Sequence, residues 1–219
     1  MINYFKYLIY IIVFIGFSSV RAGSYDDFFV AINRDDAATV KLLLSQGFDP
    51  NTVGPNGFTG LFMAIKGPSP KAVEALLADS RLNVEVRTAQ DESPLMLAAL
   101  AGMTEVCAQL ITRNADVNKP GWAPLHYAAT SGNLDTLRLL LDNYAYIDAE
   151  SPNQTTPLMM AAKYGNPQAV QLLLEAGADS SLKNALGLTA FDFAHQADRL
   201  DSANLISAAI RANRPKGKW

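Results

Sequence analysis

Apolar residues recur in the same order in two adjacent blocks of 33 residues, 121–153 and 154–186. Each block opens with a Pro-Leu pair, continues with an Ala-Ala pair and a glycine, and then reaches three consecutive leucines. The matching positions are Pro124, Leu125, Ala128, Ala129, Gly132 and Leu139–Leu141 in the first block, and Pro157, Leu158, Ala161, Ala162, Gly165 and Leu172–Leu174 in the second. A fixed period of this length indicates stacked helix-turn-helix repeats, each in contact only with its neighbours.

Weaker copies of the pattern predict about six repeats in one all-α domain over residues 23–219. Their approximate bounds are 24–55, 56–90, 91–120, 121–153, 154–186 and 187–219. From Ser93 to Ala123 the spacing is 30 residues, three short of the period, so we expect a shortened turn around Lys119-Pro120-Gly121. In the last repeat we expect a helix from about Leu200 to Arg211, whose outer side Ser202, Asn204 and Ser207 make polar, as a capping repeat requires.

Residues 1–22 have the layout of a Sec signal peptide. Lys6 and the terminal amine form a positive segment, an apolar run follows from Tyr7 to Phe17, and small residues lead to a predicted cleavage after Ala22. The alternative is a retained signal anchor, but the apolar run is well under the ~20 residues that span a bilayer. We therefore expect a periplasmic or secreted protein that has no membrane contact after cleavage.

The charge and the cysteine content exclude several classes of function. The chain has 18 basic and 21 acidic residues, and the leader contains two of the basic ones, so the remainder carries 16 against 21 and a net charge of −5. That balance argues against a nucleic-acid partner, which requires a concentrated basic surface. The local basic run Arg211, Arg214, Lys216 and Lys218 is interpreted as a solvated tail. The single cysteine, Cys107, permits neither an intramolecular disulfide nor a cysteine-based metal site.

The repeats resemble ankyrin repeats from about residue 24 to residue 215. The resemblance is carried by APLHYAA at 123–129, TPLMMAA at 156–162 and LLLEAGAD at 172–179, with weaker copies in SPLMLAA at 93–99 and GFDPN at 47–51. It implies a solenoid with β-hairpin-like tips and a concave face made by the first helices. Tyr144 departs from the family pattern because it replaces the glycine found at Gly177, so we expect a remodelled turn there.

The resemblance also implies a function. Ankyrin-repeat proteins bind other proteins and seldom catalyse reactions, so we expect a monomer without a cofactor that binds a protein partner. Among bacterial members with a signal peptide, some support a periplasmic catalase or another oxidative-stress enzyme, and others are immunity proteins against a partner toxin. Both roles remain open alternatives.

Family analogy places partner contacts at the hairpin tips and at the ends of the first helices. The predicted contact residues are Phe58, Glu92, Leu100, Trp122, Thr155, Lys163 and Tyr164. Phe58, Trp122 and Tyr164 are the expected anchors because exposed aromatic residues dominate interface energetics. Trp122 could instead fold back over its shortened loop and be buried. A second stripe is formed by Met63, Leu97, Tyr127, Met160 and Phe193, and we interpret it as packing between repeats rather than as a groove.

Three candidate sites could carry chemistry, and each has a structural interpretation that we favour. His126 belongs to the repeat motif, where it stabilises the turn, and a catalytic histidine needs a second group to orient it. Asp192 and His195 have metal-ligand spacing but lack a third ligand. Stoichiometric metal in the purified protein would favour that alternative. Cys107 lies at an inward position, so we expect an inert thiol. The chain has no phosphate-binding loop and no hydrolase motif, and we predict that it is not an enzyme.

Overall fold

The helices of this protein follow one another in pairs, as the repeat period predicts. The computed structural model describes residues 23–67 and 69–212. The predicted leader, its cleavage after Ala22 and the end of the basic tail lie outside those residues. The described part of the chain contains twelve helices, and its only β pairing is an isolated antiparallel bridge between Val53 and Thr59. No helix within this part is long and apolar enough to cross a membrane.

The described part of the chain divides into two compact units, with the boundary between Asn83 and Val84. In the first unit the helices are α1 (23–33), α2 (Ala37–Ser45), α3 (Gly60–Lys66) and α4 (Pro70–Leu77). Both α2 and α3 pack on α4. The Asp36 carboxylate caps α2 by accepting the N–H groups of Ala38 and Thr39, which α2 itself leaves unpaired. Gly60 begins α3 where a Cβ atom would lie 2.6 Å from Ile32 Cδ1, so glycine permits the close packing of α3 on α1.

The second unit holds four helix pairs. Its helices are α5 (Pro94–Leu100), α6 (Thr104–Thr112), α7 (Pro124–Ser131), α8 (Leu134–Asp142), α9 (Pro157–Tyr164), α10 (Pro167–Glu175), α11 (Ala190–Gln196) and α12 (Leu200–Ala212). The first helices pack side by side, with α7 between α5 and α9, and α11 against α9. The second helices form a parallel row in the order α6, α8, α10 and α12. The predicted all-α solenoid of helix-turn-helix repeats is thereby confirmed.

Local sequence explains where the first helices begin and how the rows pack. Proline occupies the first turn of α5, α7 and α9, where its missing N–H would have had no partner anyway. The hydroxyls of Ser93, Thr156 and Thr189 accept backbone N–H groups in the first turns of α5, α9 and α11. Leu110 and Leu140 in the second-helix row are fully buried, which stabilises the fold by about 2 kcal/mol per side chain.

Hairpin-like tips connect successive repeats, except at the predicted deletion. A backbone hydrogen bond closes four tips: Gly54 N–H to Phe58 O at 2.7 Å, and Thr88 to Glu92, Ser151 to Thr155 and Asn184 to Leu188, each at 3.0 Å. The loop between α6 and α7 spans 113–123, three residues fewer than 143–156 between α8 and α9. No equivalent hydrogen bond closes loop 113–123, although every residue of it is described. The shortened turn is therefore confirmed, and it has lost its tip.

Two details of the sequence prediction are wrong. The turn at Tyr144 is not remodelled: its φ is 63°, and its N–H donates to Leu141 O at 2.9 Å, as the N–H of Gly177 donates to Leu174 O at 3.1 Å. Tyr144 thus adopts the left-handed conformation that Gly177 adopts at no steric cost. In α12, Ser202 is buried and does not face solvent, whereas Asn204 is exposed.

Candidate partner-binding site

An apolar pocket of about 240 Å³ opens on the first-helix face of the second unit. Helices α5, α7 and α9 supply its walls together with the shortened loop. The lining residues are Leu100, Trp122, His126, Tyr127, Thr130 and Met160. Because five of these six side chains come from three packed helices, the repeat stack holds most of the pocket wall in place.

Trp122 forms one wall because the shortened loop folds back towards α7. Its indole meets the His126 ring edge to face, with ring centroids 5.2 Å apart and planes at 73°. The Trp122 side chain is half-buried. It therefore lies between the two alternatives that the sequence left open, an exposed tip residue and a residue buried under its own loop. Lys119 holds the same loop through an ion pair with Asp91, which belongs to the preceding tip. The hydrogen bond from Lys119 lowers the pKa of the Asp91 carboxyl below its usual value.

His126 forms the floor of the pocket and joins two repeats. Its Nδ1 accepts the N–H of Ala123 at 3.1 Å, and its Nε2 lies 2.9 Å from the carbonyl oxygen of Thr155. A backbone N–H can only donate and a carbonyl can only accept, so the ring is neutral with its proton on Nε2. Burial lowers the pKa of His126, which favours the same neutral form. Both ring nitrogens are engaged with backbone, so the predicted turn-stabilising role is what the structure shows.

The Tyr127 hydroxyl donates to Glu92 Oε1 at 3.1 Å on one rim of the pocket. Glu92 Oε2 in turn accepts from the hydroxyl of Thr88 at 3.4 Å. Burial, and then the nearby Glu92 carboxylate, raise the pKa of Tyr127 above its usual value. The Glu92 carboxylate therefore already accepts two hydrogen bonds from side chains of this protein.

The other rim carries a positive charge between two aromatic rings. Lys163 Nζ lies 5.1 Å from the ring centroid of Tyr164 and 5.8 Å from that of Phe193. Both distances are within the range of cation–π attraction. Lys163 is three residues beyond Met160 on α9, and residues with this spacing are neighbours on a helix surface. The apolar pocket and the ammonium group are therefore adjacent on one face.

Comparison with known proteins identifies the family. The family pattern described as ankyrin repeats (3 copies) matches residues 28–120, 70–151 and 125–215, which is most of the chain. The chain belongs to the ankyrin-repeat family. The mouse (Mus musculus) B-cell lymphoma 3 protein homolog is 31% identical over 152 residues, covering 66% of this chain and 34% of the relative. The chain thus spans about a third of that relative's length, and less of others such as human Notch homolog protein 1 at 5%.

Two solved structures are similar to this chain over most of its length. One is a chain in the complex of the Bd0816 predatory endopeptidase from Bdellovibrio bacteriovorus with the immunity protein Bd3460. It is 29% identical with a TM-score of 0.71, and the match covers 83% of this chain and 97% of the other. The second is an ankyrin repeat domain from Acinetobacter baumannii, 25% identical with a TM-score of 0.71, covering 83% and 96%.

The ankyrin repeats bring several of the predicted contact residues together. Leu100 and Trp122 line the pocket, Glu92 lies on one rim, and Lys163 and Tyr164 lie on the other. Tyr164 is 50% exposed and Leu100 is 42% exposed. Phe58 belongs to the first unit, where its ring lies 6.1 Å from that of Phe62 and 4.5 Å from Lys66 Nζ.

The prediction for Thr155 is wrong. Thr155 is 2% exposed, its N–H donates to Ser151 Oγ at 2.9 Å, and its carbonyl oxygen is bound by the His126 ring. Family analogy placed the residue on a tip, but these hydrogen bonds draw it into the base of the turn. It holds the repeats together and offers no surface to a partner.

Sequence reasoning missed the pocket because it treated the second aromatic and methionine stripe as packing. Leu97 of that stripe is buried as predicted, whereas Tyr127 and Met160 are half-buried and line the pocket. The available signal was the three-residue deletion, because the shortened loop carries Trp122, which lines the pocket. The arrangement of Lys163 beside Phe193 was also missed, since it joins residues of different repeats.

The other candidates for chemistry are satisfied by their surroundings. Asp192 caps α11, accepting the Thr189 N–H at 2.7 Å and the Thr189 hydroxyl at 2.6 Å, and these bonds lower its pKa. Among residues 23–67 and 69–212 no group of three or more His, Cys, Asp or Glu side chains could hold a metal ion. Cys107 is fully buried, and burial raises the pKa of its thiol to about 12.

Proposed function

We propose that this protein is a non-catalytic binding module that holds a protein partner on the first-helix face of its second unit. The observation that carries the proposal is the apolar pocket between α5, α7 and α9. Protein interfaces concentrate their binding energy in aromatic and aliphatic anchors seated in such pockets. The pocket is built on packed helices, so little conformational entropy is lost there on binding.

The leader-like residues 1–22 support export as the setting of that binding. On this proposal the mature protein begins at Gly23 and acts in the periplasm of a bacterium. Cell fractionation and the intact mass of the recovered protein test it. A cytoplasmic protein that retains residues 1–22 would contradict it.

Photo-crosslinking in the cells of origin tests the site. A photoreactive phenylalanine analogue replaces Leu100 on the face, and in a matched control it replaces Gln171, which is exposed on α10 of the second-helix row. We expect a crosslinked product of defined mass from position 100 and none from position 171. Equal crosslinking from both positions, or none from position 100, would contradict the placement of the site.

An immunity function is the second candidate, and one observation favours it. A chain in the Bd0816 endopeptidase–Bd3460 immunity protein complex shares 29% identity with this chain and covers 83% of it. On this candidate function the partner is a toxin or lytic enzyme that the cell itself exports. Co-expression with toxin candidates encoded by neighbouring genes tests it: cells should survive with this protein and lyse with its Trp122→Ala variant. Equal survival without this protein would exclude the toxin tested.

A further inference from the structure

The pocket and its charged rim define what kind of partner segment the face accepts. The inference deepens the proposed function and rests on it. We infer that the partner presents a peptide segment in which a bulky apolar side chain enters the pocket and a neighbouring carboxylate pairs with Lys163.

The size and lining of the pocket specify the apolar side chain. Leu100, Trp122 and Met160 provide hydrocarbon and indole surface, and a volume of about 240 Å³ accommodates one large aliphatic or aromatic side chain. Two polar groups of the lining are already engaged: both nitrogens of His126 contact backbone, and the Thr130 hydroxyl donates its proton to His126 O at 2.8 Å. Few hydrogen-bonding groups therefore remain for a polar side chain, which favours an apolar side chain in the pocket.

The charges on the two rims specify the second group. Glu92 already accepts hydrogen bonds from Tyr127 and Thr88, whereas Lys163 forms no ion pair with any residue of 23–67 or 69–212. The Tyr164 and Phe193 rings hold the Lys163 ammonium beside the pocket and partly shield it from water, which strengthens its attraction to an anion. A single carboxylate one or two residues from the apolar anchor complements this arrangement.

Peptide selection tests the inference without knowledge of the natural partner. A phage-displayed library of random dodecapeptides is selected on residues 23–219, in parallel on the Lys163→Gln and Lys163→Glu variants and on Lys183→Gln as a control for total charge. Lys183 is exposed in the loop after α10, so its loss removes the same charge elsewhere. Circular dichroism confirms that each variant is folded.

We expect wild type and Lys183→Gln to enrich peptides in which Asp or Glu lies one or two positions from a large apolar residue. Lys163→Gln should lose the acidic preference and keep the apolar one, and Lys163→Glu should select Lys or Arg instead. For one selected peptide, fluorescence anisotropy should show about fivefold weaker binding after Glu→Gln in the peptide, and no further loss on the Lys163→Gln variant.

The outcomes separate this inference from the proposed function. If the selected peptides lose binding to the Trp122→Ala variant but show no acidic preference, the inference is overturned and the binding face remains as proposed. Absence of any Trp122-dependent peptide would overturn both. A dimer, measured by light scattering, that Trp122→Ala dissociates would assign the face to a second copy of this chain and would also overturn the inference.

Discussion

Replacing Tyr144 by glycine is expected to make the protein more stable. Tyr144 has a φ of 63° at the position where the next repeat has Gly177 with a φ of 100°. The left-handed conformation costs a residue with a Cβ atom about 1–2 kcal/mol, and glycine avoids that cost. Glycine also increases the entropy of the unfolded chain, which offsets about 0.4–1 kcal/mol of the gain. The side chain is 85% exposed, so its removal exposes little apolar surface.

The expected net effect is an increase of about 0.5–1 kcal/mol in the free energy of unfolding. Urea unfolding of residues 23–219, followed by circular dichroism, measures it as a higher midpoint with an unchanged slope. Tyr144→Ala removes the ring but keeps the strained conformation, so it should change the stability by much less. Asn114→Gly tests the equivalent turn, where asparagine already tolerates its φ of 64°, and it should also have a small effect.

The three variants together show whether relief of backbone strain is the source of the added stability. If Tyr144→Gly destabilised the protein, the tyrosine ring would be making a contribution that its exposure does not reveal. If Tyr144→Ala stabilised it as much as Tyr144→Gly, the gain would come from removing the ring and not from relieving the backbone.

Three further outcomes are expected. His126→Met should reduce the loss of stability on acidification. Because folding lowers the pKa of His126, the stability that the neutral ring contributes is fully present above the unfolded pKa of about 6.5 and is lost as the pH falls through the folded pKa. Urea midpoints at pH 7.5 and pH 5 measure the difference. Gly165→Ala should destabilise by about 1–3 kcal/mol in the same assay, because the new Cβ would lie 2.6 Å from Ala129 O. Cys107 should react with a thiol reagent only upon unfolding, followed by absorbance with and without urea.

Each of these outcomes can be contradicted. Met159, which occupies the position of His126 in the next repeat, accepts the Thr156 N–H through its sulfur at 3.4 Å, so a methionine fits this turn. An unchanged pH dependence in His126→Met would therefore assign the acid sensitivity to other groups. A fully stable Gly165→Ala variant would show that α7 and α9 can separate without cost. Rapid labelling of Cys107 in the native protein would show that the second-helix row opens readily.

The repeat pattern was sufficient to predict the helix pairs, because Pro, Ala-Ala and Leu-Leu-Leu each report a local requirement of helix initiation or packing. The shortened loop could be predicted for the same reason, since a missing residue changes the period. Thr155 could not be placed correctly from the sequence. Its burial depends on hydrogen bonds to Ser151 and His126, which are decided by the arrangement of two turns in space.

The pocket illustrates a second limit of sequence reasoning. Tyr127 and Met160 occupy positions that are apolar in every repeat, and the same pattern serves both buried packing and an open site. Which role applies depends on how neighbouring repeats pack: Leu97 at the same position is buried, whereas Tyr127 and Met160 are half-buried and line the pocket with Trp122 of the shortened loop. Lys163 and Phe193 likewise come together only because α11 packs against α9.

The missing tip between α6 and α7 has a consequence for how such an array acquires specificity. Each repeat is stabilised by its immediate neighbours, so the loss of three residues at one joint leaves the other joints unaltered. A binding pocket can therefore arise through a deletion in a single loop, while the helices of the other repeats stay unchanged. The converse change is equally local: three residues inserted after Lys119 should restore the usual loop length and move Trp122 away from the pocket wall, while the helices remain in place.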